Sequence, residues 1–184
     1  MAKINKEEYL NDLLNQIDVQ ISFGESLREA EQSSLLFKEN ENKWNALECI
    51  QHMNQSMQVY TDQLAHIVLQ SEAEDTVKIG WKGNFFAEGS RPKGEEISYK
   101  MKTMKALEPN KASSESIDNY ISLLELIKTF ITQNKDRSWT KGRVKTALGP
   151  LVKLNIAEAI NFVLAHNDRH ILQAKKAMPV NIKI

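Results

Sequence analysis

Four stretches of this chain repeat their apolar residues every three to four positions, and each is long enough for roughly five to seven helical turns. The first, over 6–31, puts Leu10, Leu13, Leu14, Ile17, Ile21 and Leu27 on one side. The second, over 43–70, carries Ala46, Ile50, Met53, Met57, Tyr60, Leu64 and Ile67. The third, over 114–134, aligns Ile117, Tyr120, Ile121, Leu124, Ile127 and Ile131. The fourth opens at Asn155 and stops at Met178-Pro179, with Ile156, Ile160, Val163, Asn167, His170, Ile171 and Ala174 along its stripe. Asn155 reads as its N-cap, with Glu158 in capping-box position and Leu154 ahead as a staple. Stripes of this length are buried only against one another, which predicts an all-α four-helix bundle in a single domain over 1–184.

The connections differ in length. Residues 71–112 make a link of about forty residues, far above the usual helix–helix connection. It holds Gly80, Gly83, Gly89 and Gly94, with Trp81, Phe85 and Phe86 among them, and reads as an ordered loop lying over a site. Residues 136–154 form a second link to the last helix, broken at Gly142 and Gly149-Pro150.

Charge and cysteine content narrow the chemistry. Lys and Arg number 24 and so do Asp and Glu, a balance that argues against a general polyanion binder. The balance is not local: from Arg137 onward nine basic residues meet only Glu158 and Asp168, so this part carries +7 and the rest −7. That asymmetry suits a basic face meeting the acidic part of its own chain or of a second copy, or else a groove for an anionic small molecule. The lone cysteine, Cys49, excludes an intramolecular disulfide and a multi-cysteine zinc site. The opening MAKINKEEYL has no apolar core of a signal peptide, and no apolar run approaches bilayer length, so a cytoplasmic protein with no membrane role is expected.

Two of the four histidines, His166 and His170, stand four apart in AHNDRHILQ. On a helix such a pair shares one face and suits a divalent cation. Hydrogen-bonded core histidines have the same spacing, but a pair turned toward the interior is costly unless something binds it. His52, beside Met53 at the edge of the second stripe, is the candidate third ligand. His66 stands about 21 Å further along that helix, so one ion cannot use both, and its glutamine neighbours mark it as a surface residue.

Around this set, Gln173 shares the histidine face and reads either as an orienting partner or as a solvated amide. Arg169 reads as a surface salt-bridge partner or as a clamp for an anionic substrate. Glu48, one turn before His52, reads as an exposed carboxylate or a partner for its ring N–H, and Cys49 as a small buried hydrophobe rather than a ligand. Trp44, Trp81 and Phe85 are candidates to wall a pocket above the histidines, or simply core and loop anchors. No serine–histidine–aspartate arrangement, glycine-rich phosphate loop or paired-carboxylate signature stands out.

The stretch KWNALECIQHM (43–53), followed by AEAINFVLAHNDRHILQAKK (157–176), resembles the DinB/YfiT-like superfamily, and MKTMKALEPN (101–110) is similar to that family's linker before the third helix. The resemblance runs through essentially the whole chain, although each motif is short. It implies an up-down-down-up four-helix bundle in which His52, His166 and His170 hold one divalent metal, usually nickel or zinc. Three nitrogen ligands would also suit iron or manganese. Catalytic residues beyond the ligands stay unassigned.

The resemblance further implies a homodimer that performs either metal-assisted hydrolysis or transfer of a low-molecular-weight thiol to a small electrophile. The rival reading is a metal-binding or stress-response dimer without turnover. Nucleic-acid binding through 137–145 is a weaker third reading, disfavoured by the neutral net charge.

Overall fold

A computed structural model of the chain describes every residue except 1, 68, 70–73, 98–102, 148 and 180–184. Positions 68 and 70 of the second periodic stretch, 101 and 102 of the linker motif, and Lys183 of the basic C-terminal part therefore lie outside the described residues. No helix is long and apolar enough to cross a membrane, among the described residues.

Asparagine sets the start of three helices. The Asn5 side chain accepts the Glu8 N–H and opens α1 (Lys6–Arg28). Asn45 and Glu48 form a reciprocal capping box that opens α3 (Ala46–Leu64), and Asn155 and Glu158 form a second that opens α6 (Ile156–Ala177). Each box satisfies two N–H groups that the first turn leaves without partners. Between them lie the short α2 (Gln32–Leu35), α4 (Trp81–Ser90) and α5 (Glu115–Gln133). The chain is mostly helical: α1 and α3 each pack against both α5 and α6, and the apolar stripes meet in one core.

The second periodic stretch ends earlier than its pattern predicts, at Leu64, with Ala65 as C-cap. The described fold is also not purely helical. Strand β1 (Ala2–Asn5) pairs antiparallel with β2 (Thr76–Ile79), and β3 (Val144–Thr146) pairs with β4 (Gly149–Leu154). Residues 71–112, expected as a loop, hold β2, α4 and a 3-10 turn over Lys105–Leu107.

The 136–154 link is anchored as well. Trp139 is fully buried beside Phe130 and donates its ring N–H to the Asn134 carbonyl. The Gln63 side chain bonds both the N–H and the carbonyl of Lys145, as a neighbouring strand would. These elements escape periodicity analysis because strands of three to six residues, and a ten-residue helix with two glycines, carry too few side chains to show a period.

Helix α4 lies against α6 through small residues: Gly83, Ala87 and Ser90 are its buried positions. A β-carbon on Gly83 would stand 2.4 Å from Glu158 Cγ, whereas one on Gly89 meets nothing within 4 Å. The Glu158 side chain cannot easily yield, because it caps α6 and also accepts the Gly80 N–H at 2.6 Å. Gly83→Ala is therefore expected to destabilise the protein by about 1–3 kcal/mol. Gly89→Ala, by removing unfolded-state freedom, should be neutral or stabilising by up to about 1 kcal/mol. Urea denaturation midpoints of the two variants check the contrast, and equal midpoints would remove the close-packing argument.

Candidate metal centre

His52 sits in the second turn of α3, and His166 and His170 lie one turn apart, from the middle of α6 onward. Packing of α3 on α6 brings one ring nitrogen from each histidine within 4.8 Å of the others. The shortest approach is His52 Nε2 to His166 Nε2, at 3.2 Å. Ring centroids are 4.4 Å apart for His52 and His170 and 4.5 Å for His166 and His170. His52 and His170 are buried, whereas His166 keeps a partly exposed edge where it lines a cavity. His66 is exposed and beyond the end of α3, away from this cluster.

Two of the rings are oriented from behind. His52 Nδ1 lies 2.7 Å from the Leu107 carbonyl oxygen, so it carries the proton and donates it, leaving Nε2 with a lone pair. His170 Nδ1 donates to Gln173 Oε1 at 3.0 Å, which leaves its own Nε2 bare in the same way. His166 has no such partner: its Nδ1 is buried without a hydrogen bond.

Burial, acting first, lowers the pKa of all three rings. His166 falls to about 3, depressed further by the neighbouring His52 and Arg169 charges. His170 falls well below its ordinary value through burial and then repulsion from His166, His52 and Arg169. His52 also shifts down, the Leu107 bond opposing its burial. All three rings are thus held neutral near pH 7, the form that ligates metal.

This donor set fits a divalent ion. Two nitrogens bound to one ion at about 2.1 Å stand roughly 3–3.4 Å apart, so the close approach of His52 and His166 matches shared coordination. In the cluster as it stands, neutral rings have one proton to share across that contact, and the His166 Nδ1 is left orphaned. No other described group of histidine, cysteine and carboxylate side chains converges in this way.

The histidines border a cavity of about 820 Å³. Trp44 lines it, with its ring 5.0 Å from His52 and 6.1 Å from His170, and Phe162 lies 6.3 Å from His166. Gly89 and Ser90 at the end of α4, with Ile97, Thr103, Met104 and Leu107 beyond it, supply more of the lining.

The sequence model of the DinB superfamily matches residues 23–174. The chain belongs to the DinB superfamily. No curated protein and no solved structure matches the chain. The DinB match spans all three histidines, both capping boxes and the segment whose Leu107 carbonyl holds His52.

The remaining candidates separate in space. Gln173 is the partner of His170 and lines the cavity, and Arg169 is half-buried in the same lining, where burial lowers its pKa. Trp81 and Phe85 do not wall the cavity among the described residues. They stand 74% and 66% exposed, because α4 approaches α6 through Gly83, Ala87 and Ser90, with Phe86 packed beside Phe162 and Trp81 and Phe85 turned out. Glu48 is neither exposed nor a partner of His52: it is half-buried, caps α3 and pairs with Lys38 at 2.7 Å. Cys49 is fully buried, and burial pushes its thiol up to about 12, so it stays protonated.

Sequence reasoning passed over Phe162, although it precedes His166 by four residues and so shares its face. It also passed over Leu107, whose contribution is a carbonyl and has no side-chain signature.

Gln173→Leu removes the acceptor for His170 Nδ1 and should weaken zinc or nickel binding about 10–100-fold in a competition titration, while Gln173→Glu keeps an acceptor and should retain most of it. Unchanged affinity in the leucine variant would show that Gln173 does not orient the ligand.

Proposed function

We propose that this DinB-superfamily chain is a metal-dependent enzyme in which His52, His166 and His170 hold one divalent ion, nickel or zinc, in a bundle of the up-down-down-up type. The observation that carries the reading is the convergence of three neutral imidazole nitrogens on the wall of a cavity. Three ligands from one side leave coordination positions toward that cavity, as a catalytic rather than a structural ion requires. When bound, such an ion lowers the pKa of a coordinated thiol or water and neutralises developing negative charge.

Of the two reactions, transfer of a low-molecular-weight thiol to a small electrophile has the better support. Metal-assisted hydrolysis is commonly aided by a protein base that takes a proton from water. The one carboxylate among the described lining residues, Glu39, is paired with Lys43 at 2.8 Å. A thiol ionises more readily, because its pKa already lies near 8.5, and its proton passes to solvent. The sulfur then forms the new carbon–sulfur bond as the leaving group departs with its electron pair.

The chain's own residues shape this step. Leu107 and Gln173 hold two of the rings in register, and Trp44 and Phe162 supply apolar walls that keep water from competing. Low-molecular-weight thiols are held reduced in the cytoplasm, which is the compartment this reading assigns, to a homodimer acting on small molecules.

Protein purified without a histidine tag or chelator should carry close to one equivalent of nickel or zinc by elemental analysis, and His166→Ala should carry almost none. The metal-loaded protein should conjugate cysteine or mercaptoacetate to an activated aryl halide at least tenfold faster than His166→Ala does. Metal retention without turnover would favour the non-catalytic metal-binding dimer. Absence of metal even after adding zinc or nickel would reduce the three histidines to core residues.

A further inference from the structure

Two polar side chains stand in the core where apolar ones would be expected. Gln20 interrupts the stripe of α1 between Ile17 and Ile21, and Asn167 lies on the stripe of α6 beside His166. Both are fully buried. The Gln20 amide nitrogen donates to the Leu164 carbonyl at 2.9 Å and to Asp168 Oδ1 at 2.7 Å, and its oxygen accepts from Asn167 Nδ2 at 3.0 Å. The Leu164 carbonyl can only accept, so the amide nitrogen must face it and the orientation is fixed. Asn167 Nδ2 also lies 3.3 Å from Met57 Sδ, on the helix that carries His52.

Stability does not explain this pair. Asn167 Oδ1 is buried with no hydrogen-bond partner among the described residues, a cost that two apolar side chains of similar volume would avoid. Apolar packing tolerates rearrangement, however, and cores lose uniqueness before they lose stability. A directed polar contact admits one register, which is the best-attested use of a buried polar group.

Register matters here because of the histidines. Leu164, Asn167 and Asp168 share one face of α6, and His166 and His170 lie roughly 130° round the axis from it. Side-chain tips stand about 5–6 Å from a helix axis, so a rotation of about 10° would carry a ring nitrogen about 1 Å. Distances from ligand to metal hold within about 0.2 Å. The face gripped by Gln20 therefore sets where both rings of α6 point.

We propose that Gln20, with Asn167, is a positioning residue of the histidine centre: its hydrogen bonds fix the rotation of α6 and so aim His166 and His170 at His52. The proposal rests on the metal reading only for its effect on affinity, since the aim of the rings is tested without metal.

The test replaces both side chains with apolar ones of similar size, Gln20→Leu together with Asn167→Leu. The control is Leu124→Ala on α5, also fully buried and not on α6. The urea midpoint should be unchanged or higher in the apolar pair and lower in the control. In chelator-stripped protein, Overhauser contacts between the ring protons of His52 and His166 should persist in the wild type and the control and largely disappear in the pair. Zinc affinity in a competition titration should fall about 10–100-fold in the pair and stay unchanged in the control. The visible spectrum of cobalt(II)-substituted protein should shift in the pair alone. If the pair does not fold, Gln20→Met, which keeps the length and loses the amide, should weaken the same ring contacts.

Ring contacts that survive in the pair, or that the control loses equally, would overturn the proposal. Protein that takes up no zinc, yet loses its ring contacts in the pair, keeps the role of Gln20 and removes the metal from the centre. Protein that binds zinc, with contacts and affinity unchanged in the pair, keeps the metal and removes the role.

Discussion

Glu158 is a carboxylate with 7% of its surface exposed, and both of its oxygens are bonded: one accepts the Asn155 N–H and the other the Gly80 N–H. Burying such a charge without partners would cost several kcal/mol, so the side chain has one acceptable position. That position also lies at the positive end of the α6 dipole. The interaction fixes where α6 starts and presses α4 onto it through Gly83. His166 and His170 follow eight and twelve residues later, and a slip of one residue would turn both rings by about 100°. Helix α6 touches α1, α3, α4 and three of the strands, so an error there would reach nearly every packing contact in the molecule.

The histidine cluster is assembled against an electrostatic cost and made workable by neutrality. Three imidazoles whose ligand nitrogens lie within 4.8 Å of one another cannot all be charged in a buried setting: burial lowers the proton affinity of each, and His52 depresses His166 and His170 further. What separates a ligand set from a mere buried cluster is the direction of the lone pairs. The Leu107 carbonyl and Gln173 take the Nδ1 protons of His52 and His170, which turns both Nε2 atoms toward the common centre. His166 lacks that support, and its Nδ1 is buried without a hydrogen-bond partner.

Legibility varied with the length of the signal. The stripes of α1, α5 and α6 run for 19 to 23 residues, enough repeats to place each helix within a few residues. The α6 cap was readable because asparagine and glutamate occur at the spacing the box needs. The same spacing in Asn45 and Glu48 was equally readable, but Glu48 was read as an exposed carboxylate, or else a partner of His52, rather than as the cap of α3. Trp81 and Phe85 were misplaced for a different reason: aromatic residues in a link suggest burial, yet on α4 the inward positions had to be small for the helix to approach Glu158. Leu107 was invisible, since every residue has a carbonyl and only the path of the chain brings one to His52.

The amino-acid sequence alone determined the apolar faces of the long helices, the start of α6, and the presence of His166 and His170 on one side of it. All of these are local, because 3.6-residue periodicity and capping act within a few turns. Only tertiary structure decided that His52, 114 residues before His166, would come within 3.2 Å of it. It also decided which backbone carbonyl would hold that ring and that cations rather than aromatics of α4 would border the cavity. Such convergence depends on how helices dock, and docking is set by side-chain volumes from several elements at once, which no single stretch of sequence contains.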